Sequence, residues 1–598
     1  MDIFSILTLT GGLAMFLYGM NVMGKGLETL AGGKLEQILE KMTSNRLKAA
    51  LLGTGVTAVI QSSSAATVMV IGLVNSKIMK LRQAIGVILG AKIGTTVTAW
   101  LLSLTGISST FILLQLCKPS SFAPVLAAVG IVFIMFMKSE RKHHIGIIFI
   151  GFAVLMFGME TMSGAMAPLK DMPQFAEIMT MFSNPLFGLL AGMALTAIIQ
   201  SSSASIGILQ ALSLTTGSIT MGIAIPIVMG QNIGTCVTAM LASIGTNKNA
   251  KRAAFAHLVS TTIGALVFLV GFYSLNTVFR FEFLDKVTGP AGIAAFHTIF
   301  NIILVTCWLP LIGVLEKIVC RIVRDEEDGS TAEVKEDSDF SMLDERFLMM
   351  PSFALRKAYE VTVQMAHKSG EALMYSMDVL ENYDKEKVGK VFELEDEVDR
   401  FEDKIGTYLV KLSRQNISSS DSHSLSMLLN CIGDFERISD HAVNLAQAAE
   451  EKNAKGLDFS RAAQNELGIF SKAIREIVNN TMEVFEHEDS EKAVLVEPLE
   501  EVVDDLNLEI KSRHIARLRE GECTIELGFL LSDITTNFER VADHCSNIAI
   551  HIIQLDEDAI EAHGYLDTLK REENPLFKEK YAEYREKYKL PEIIEAQR

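Results

Sequence analysis

The sequence predicts an all-α fold in two parts: a polytopic membrane domain with inverted repeats and two re-entrant hairpins, then a cytoplasmic pair of three-helix bundles. Three observations carry this expectation. The 598-residue chain changes composition near residue 320, too long for one core and oily in front of that point. The tetrad Gln61-Ser62-Ser63-Ser64 recurs as Gln200-Ser201-Ser202-Ser203 inside apolar surroundings. Beyond residue 343 apolar residues recur at three and four while proline nearly vanishes.

Residues 1–320 hold 20 Lys or Arg against 11 Asp or Glu, so of the net charge of −18 the rest of the chain carries −27. An acidic second half without a basic patch argues against nucleic acid as a partner, because phosphate backbones are held by clustered Lys and Arg. The seven cysteines are scattered without a CxxC pair, which suits a reducing compartment.

Taken in order, apolar stretches at about 1–20, 83–105, 120–137, 145–163, 219–243, 255–275 and 291–316 each approach the ~20 residues that cross hydrocarbon. Seven spans are expected. The first lacks a basic n-region and a small-residue cleavage site before Lys25, so it is expected to stay as an anchor. Two further stretches, about 50–74 and 186–212, are broken by the serine tetrads and are expected to enter and return. With the N-terminus outside, the inner loops 21–48, 76–82, 138–144, 247–252 and 317–324 hold 17 basic residues. The outer loops near 106–119, 164–184, 213–218 and 276–290 hold only Lys118, Lys170, Arg280 and Lys286. That asymmetry places the second half in the cytoplasm of a cell with an inner, cytoplasmic membrane.

An internal repeat sets the architecture. Gly53-x7-Gln61 is matched by Gly192-x7-Gln200, Phe16-Leu17-Tyr18-Gly19-Met20 by Leu155-Met156-Phe157-Gly158-Met159, and Gly90 to Ala99 by Gly230 to Ala239. All three offsets are 139 or 140, giving repeats of about 1–138 and 145–276. Three spans and one hairpin per unit make the second unit upside down. Inverted repeats with broken helices mark a secondary transporter whose site lies at the midplane between them. Small polar residues also pack transmembrane helices, but two copies at one depth in two hairpins favour a ligand role. Non-helical backbone at membrane depth must line a cavity, where it offers carbonyls to cations and amides to anions.

The paired tetrads and the paired G-x-x-I-G-T segments (Gly90-Ala91-Lys92-Ile93-Gly94-Thr95, Gly230-Gln231-Asn232-Ile233-Gly234-Thr235) resemble the sodium-dependent phosphate cotransporter family over residues 1 to 318. The resemblance implies inorganic phosphate and sodium ions as cargo and coupling ion. It assigns Gln61, Ser62, Ser63, Ser64, Gln200, Ser201, Ser202 and Ser203 to their sites, with Thr95, Thr96, Asn232 and Thr235 beside them. Lys92 departs from the family's pattern, which carries Asn there as at Asn232. A helix rise of ~1.5 Å per residue from Arg82 puts Lys92 about 15 Å deep, with no acidic residue in its own span. Such a group faces a ligand path, replacing one sodium or touching the anion, or else packs neutral between helices.

Residues 321–342 read as an acidic linker, 343–555 as the helical domain and 556–598 as a charged tail. Within the helical domain Leu394 to Asp399 matches Leu499 to Asp504, and Phe435 to His441 matches Phe538 to His544. This pattern resembles the PhoU-type regulators of phosphate uptake, whose E-x-x-x-D pairs hold metal clusters. The pairs here are Glu395 with Asp399, Glu436 with Asp440, Glu500 with Asp504 and Glu539 with Asp543. Four apart, both carboxylates of a pair share a helix face. They form either a site for a divalent or iron metal or a solvated acidic face paired with Arg437 and Arg540. His441 and His544 are expected to support those ligands rather than join them. A homodimer or a cytoplasmic regulatory partner is compatible with this half.

No nucleophile triad, Walker loop, Rossmann glycine run or HExxH is present, so an enzyme is not expected. The expected function is sodium-coupled phosphate transport under control of the second half. The alternatives are a non-transporting phosphate sensor and a carrier of another small oxyanion.

Overall fold

The computed structural model describes residues 2–31, 45–106, 118–137, 139–324, 340–415, 417–555 and 575–591. Most of the acidic linker, much of the 556–598 tail and parts of the loops at 21–48 and 106–119 lie outside the described residues. The chain divides into two compact units, Met1–Met349 and Met350–Arg598. Among the described residues both are helical, with one isolated bridge between Thr220 and Val287.

The first unit runs α1 (Ile3–Ala31), α2 (Arg46–Ile60), α3 (Ser63–Asn75), α4 (Leu81–Ser103), α5 (Pro119–Phe136), α6 (Glu140–Met166), α7 (Pro173–Met181), α8 (Pro185–Ile199), α9 (Ser202–Thr216), α10 (Met221–Gly234), α11 (Cys236–Ala242), α12 (Lys248–Phe279), α13 (Pro290–Trp308) and α14 (Ile312–Ile322). Among the described residues six stretches of helix are long and apolar enough to cross a membrane: Ile3–Leu30, Leu81–Gly106, Arg141–Lys170, Met221–Ala242, Lys248–Phe279 and Pro290–Trp308. The expected span at 120–137 falls in a shorter class at Ser121–Phe136, together with Ser63–Asn75 and Pro185–Ile199.

The fold of the broken stretches follows from glycine. A Cβ on Gly53 would lie 2.1 Å from the carbonyl oxygen of Val87, and one on Gly90 1.8 Å from that of Ala50. Backbones this close exclude any side chain, and contacts rising together along both helices make α2 and α4 parallel. Gly192 and Gly230 repeat the arrangement against Ile227 and Leu189, so α8 and α10 are parallel too. α3 ends at Asn75, only five residues before α4 begins, and α9 ends at Thr216, four residues before α10. Each broken stretch therefore returns to the end at which it began.

The repeats are inverted. Gly12 meets Gly158 and Met162, while Gly19 meets Gly151 and Leu155, so the matched helices α1 and α6 cross antiparallel through a symmetric glycine quartet. At the far end of α4 the Ala99 carbonyl accepts from Gln210 Nε2 (3.0 Å), about two turns into α9 as it runs away from Ser202. The mouths of the two hairpins thus lie at opposite ends of the unit.

The second unit holds α15 (Pro351–Glu381), α16 (Lys385–Ser413), α17 (Ser419–Ala454), α18 (Arg461–His487), α19 (Val496–Arg519), α20 (Ile525–Ile553) and α21 (Pro575–Lys587). α15 to α17 form one bundle and α18 to α20 the other, and their apolar stripes bury Phe353, Phe435, Phe470, Phe485 and Phe538. α17 and α20 join the bundles through a pseudo-two-fold contact. His441 Nδ1 meets Asn537 Oδ1 at 2.8 Å, and His544 Nδ1 meets Asp434 Oδ1 at 2.8 Å. These residues occupy equivalent places in the two bundles.

Candidate functional site

Each hairpin turns at a glutamine in the left-handed region, Gln61 at φ 59° and Gln200 at φ 58°. That conformation is strained for a non-glycine residue and ends the first arm, the glutamine N–H closing onto Thr57 or Thr196. The next residue, Ser62 or Ser201, is extended, and its hydroxyl accepts from the N–H of Ala65 or Ala204 as an N-cap. Each tetrad therefore stops one helix and starts another, leaving the first turn of the new helix with amides that need a partner.

Those two first turns open onto one cavity. It is lined by Ser63 and Thr67 of α3, Ile88, Ala91, Lys92 and Thr95 of α4, Ser202 of α9, Asn232 with the following Thr235, and His257 of α12. Its free volume of about 10 Å³ is roughly one water. Ser63, Ser202, Lys92, Thr95, Asn232 and Thr235 are thus brought together from both repeats. The other residues expected there serve around it. Gln61 is buried and its Oε1 accepts from Thr98 at 2.7 Å, whereas Gln200 is exposed. Ser62 and Ser201 cap, Ser64 meets Thr238 at 3.4 Å, Ser203 is buried in α9, and Thr96 hydrogen-bonds its own helix at Ile93.

Lys92 is 6% exposed and its Nζ donates to Thr261 Oγ1 at 2.6 Å. Thr261 in turn donates to the His257 carbonyl at 2.6 Å, and Cys236 Sγ lies 3.5 Å from the same hydroxyl. Among the described residues no carboxylate lines the cavity. An ammonium whose neighbours are hydroxyl, thiol and imidazole groups gains most from an anion. Two helix N-termini, serine hydroxyls and one lysine aim at the same volume, an arrangement suited to a small oxyanion. Asn232 spends its Nδ2 on Val228 (3.2 Å), which turns the amide oxygen to other use. His257 and Thr67 line the cavity and Thr261 holds Lys92, and the repeats revealed none of the three. His257 and Thr261 lie on α12, away from either tetrad, and only their polarity within an apolar span marks them.

In the second unit Glu500, Asp504 and Asp543 bring carboxylate oxygens within 4.8 Å of one another. Glu539 accepts instead from Asn507 Nδ2 at 3.0 Å. In the other bundle, burial and then the negative charge of its neighbours push the carboxyl groups of Glu395, Asp399 and Glu436 up, Asp440 being among those neighbours. Burial raises Asp543 as well. Arg437 pairs with Asp440, and Arg540 with Asp543, both at 3.3 Å. His441 and His544 make the cross-bundle bonds described above.

Known proteins place both units. The family model described as Na+/Pi-cotransporter matches residues 15–164 and 170–282, and the PhoU domain model matches 362–449 and 468–552. The "Putative inorganic phosphate export protein YjbB" of Escherichia coli K12 is 24% identical over 93% of this chain and 98% of its own length. "Uncharacterized protein YqeW" of Bacillus subtilis is 31% identical over 52% of this chain and 97% of its own. The "Phosphate-specific transport system accessory protein PhoU homolog 1" of Thermotoga maritima is 24% identical over 31% of this chain and 80% of its own. With its inverted, serine-broken repeats in front and its paired bundles behind, the chain belongs to the Na+/Pi-cotransporter family and carries a PhoU domain after the membrane unit.

Proposed function

We propose that this protein is a secondary transporter of inorganic phosphate coupled to sodium, with the anion held between the two serine breaks. One observation carries this reading: repeat-related first turns at Ser63 and Ser202 share a cavity with Lys92 and Asn232. The amide dipoles and Lys92 supply positive potential for the phosphate. Hydroxyl, carbonyl and Asn232 oxygens supply hard ligands for sodium.

Lys92 bears on stoichiometry and so on direction. Moving a divalent phosphate inward against 100 mV costs about 2.3 kcal/mol per uncompensated charge. A tenfold inward sodium gradient returns about 1.4 kcal/mol per ion. With two sodium ions the charge cancels and about 2.8 kcal/mol drives uptake. With one, a net negative charge moves, and voltage outweighs sodium by roughly 1 kcal/mol toward release. A lysine standing in for one sodium therefore favours export, in keeping with the Escherichia coli relative named for phosphate export.

Orientation follows the same logic. Arg82 pairs with Glu316 and Arg252 donates to the Val323 carbonyl, gathering the basic loops 76–82, 247–252 and 317–324 at the mouth of the first hairpin. That end faces the cytoplasm, the N-terminus lies outside, and each hairpin re-enters the membrane face from which it came. The second unit regulates from the cytoplasm. In this reading Glu500, Asp504 and Asp543 would hold a hard metal ion there, and Glu395, Asp399 and Asp440, with Glu436 beside them, would do the same in the other bundle.

Purified protein in proteoliposomes, loaded with labelled phosphate, tests the reading. Sodium should accelerate flux, and an imposed inside-negative potential should favour efflux. Binding without flux in either direction would overturn it in favour of a sensor. Stronger competition by sulfate than by arsenate would reassign the cargo.

A further inference from the structure

We infer that residues Phe340–Met349 are a detachable latch on the cytoplasmic mouth of the first hairpin, through which the second unit controls access to the site. The inference rests on the transport reading above.

This segment follows the last membrane helix and leads directly into α15, yet it folds as part of the first unit. Phe347 is fully buried, and its ring fills the notch left by Gly72 of α3, where a Cβ would lie 2.7 Å from the ring. Asp344 accepts from Asn75 Nδ2 at 2.7 Å, and the Ser341 carbonyl accepts from Ser76. Those contacts seize the end of the returning arm. Arg346 then reaches across, donating to the carbonyls of Ala242 (2.9 Å) and Ile244 (3.3 Å) at the end of α11 while pairing with Asp344 at 2.6 Å. One short segment thus ties an arm of the first repeat to the second repeat, on the side where both end.

In an inverted-repeat carrier, opening one face separates the repeats at that face. A tie across them holds that face shut. The opposite mouth has a strap too: the Ile219 carbonyl accepts from Thr288, and the Lys286 carbonyl accepts from Met221. That strap is a loop between α12 and α13, anchored at both ends in the membrane unit. The latch at 340–349 is anchored at one end and continues into a regulatory unit at the other. A rearrangement of that unit has a direct mechanical route to Arg346 and Phe347, which makes this the mouth that is regulated.

The test uses full-length protein in inside-out vesicles, with Ser63→Cys as reporter and peptide mass spectrometry reading its alkylation by a membrane-impermeant maleimide. Arg346→Ala should raise the rate about tenfold, the change that 1.4 kcal/mol in a closing equilibrium produces, and Phe347→Ala should act likewise. Joining Asn75→Cys to Asp344→Cys with a cleavable thiol crosslinker should lower the rate below the parent's, and cleavage should restore it. Rates within twofold of the parent in both single variants, or a crosslink without effect, overturn the latch. If access responds as expected while the protein with Ser63 intact moves no phosphate, the latch stands and the transport reading falls.

Discussion

Lys92 sits where the two repeats differ in charge, opposite an asparagine at the equivalent place and bonded to Thr261. If its ammonium does the work of a sodium ion, Lys92→Asn restores the symmetric pair and adds a coupling ion. Flux should then depend more steeply on sodium, its Hill slope rising by about one, and net movement at equal phosphate should turn from release to uptake. Lys92→Met should instead weaken phosphate affinity by tenfold or more, the loss of a charge-assisted contact of about 1.5–3 kcal/mol. Initial-rate measurements in proteoliposomes decide both, and unchanged sodium dependence in the two variants removes Lys92 from coupling. The carboxylates of the second unit make a pH prediction. Glu395, Asp399, Glu436 and Asp543 are shifted upward from their ordinary values, chiefly by burial, so their ionised forms weaken the fold. The penalty is complete above the raised values and relieved as pH falls through them into the usual carboxylate range. Thermal stability of the metal-free protein should therefore rise on mild acidification from neutral pH. A bound divalent cation should give a like gain at neutral pH, and Asp504→Asn with Asp543→Asn should remove the second bundle's share of it. A thermal profile flat to both pH and metal favours the solvated acidic face.

At the scale of the element, the hairpins are held by backbone rather than by side chains. Gly90→Ala would force a methyl into the Ala50 carbonyl at 1.8 Å, and since helices cannot bow locally by that much, α2 and α4 must part. We expect a loss of at least 1–3 kcal/mol, seen as a lowered melting temperature in detergent. Gly55→Ala, on the same hairpin with nothing within 4 Å, should leave the melting temperature unchanged or raise it. Equal effects would show that the close approach is not what holds the hairpin. The sequence made the breaks legible because the Gln-Ser-Ser-Ser tetrads interrupt apolar runs twice at one offset. The glycines were visible only as markers of the repeat. Their partners, Val87 and Ala50, carry no signal, since a carbonyl oxygen is the same in every residue. His257 and Thr261 escaped for a related reason: they lie on a helix that belongs to no matched motif. The E-x-x-x-D pairs showed which carboxylates share a face, but not that Glu539 turns to Asn507 while Asp543 joins Glu500 and Asp504, a choice made by packing between helices.

For the whole molecule, two truncations separate the parts that the composition shift near residue 320 announced. Ending the chain after Arg324 removes the second unit and residues 340–349 together, whereas ending it after Met349 removes only the second unit. Both should insert and move phosphate, because the cavity draws all its lining from the first unit. The shorter form should be the faster by several-fold in proteoliposomes, because the longer, keeping residues 340–349, should open its latched mouth less often. Equal rates would deny the latch any part in control, and loss of flux from a well-folded short form would give the second unit a role in transport itself.

The inverted pair at Gly12, Gly19, Gly151 and Gly158 has one more consequence. Two halves that are copies of each other could exchange conformations at no cost, so a bare carrier would rest equally often facing either way. The straps break that equivalence, since only the one at 340–349 continues into the second unit. The idle protein should therefore rest with the latched mouth closed, so a label applied to the opposite face should reach the site sooner than the same reagent applied to the latched face.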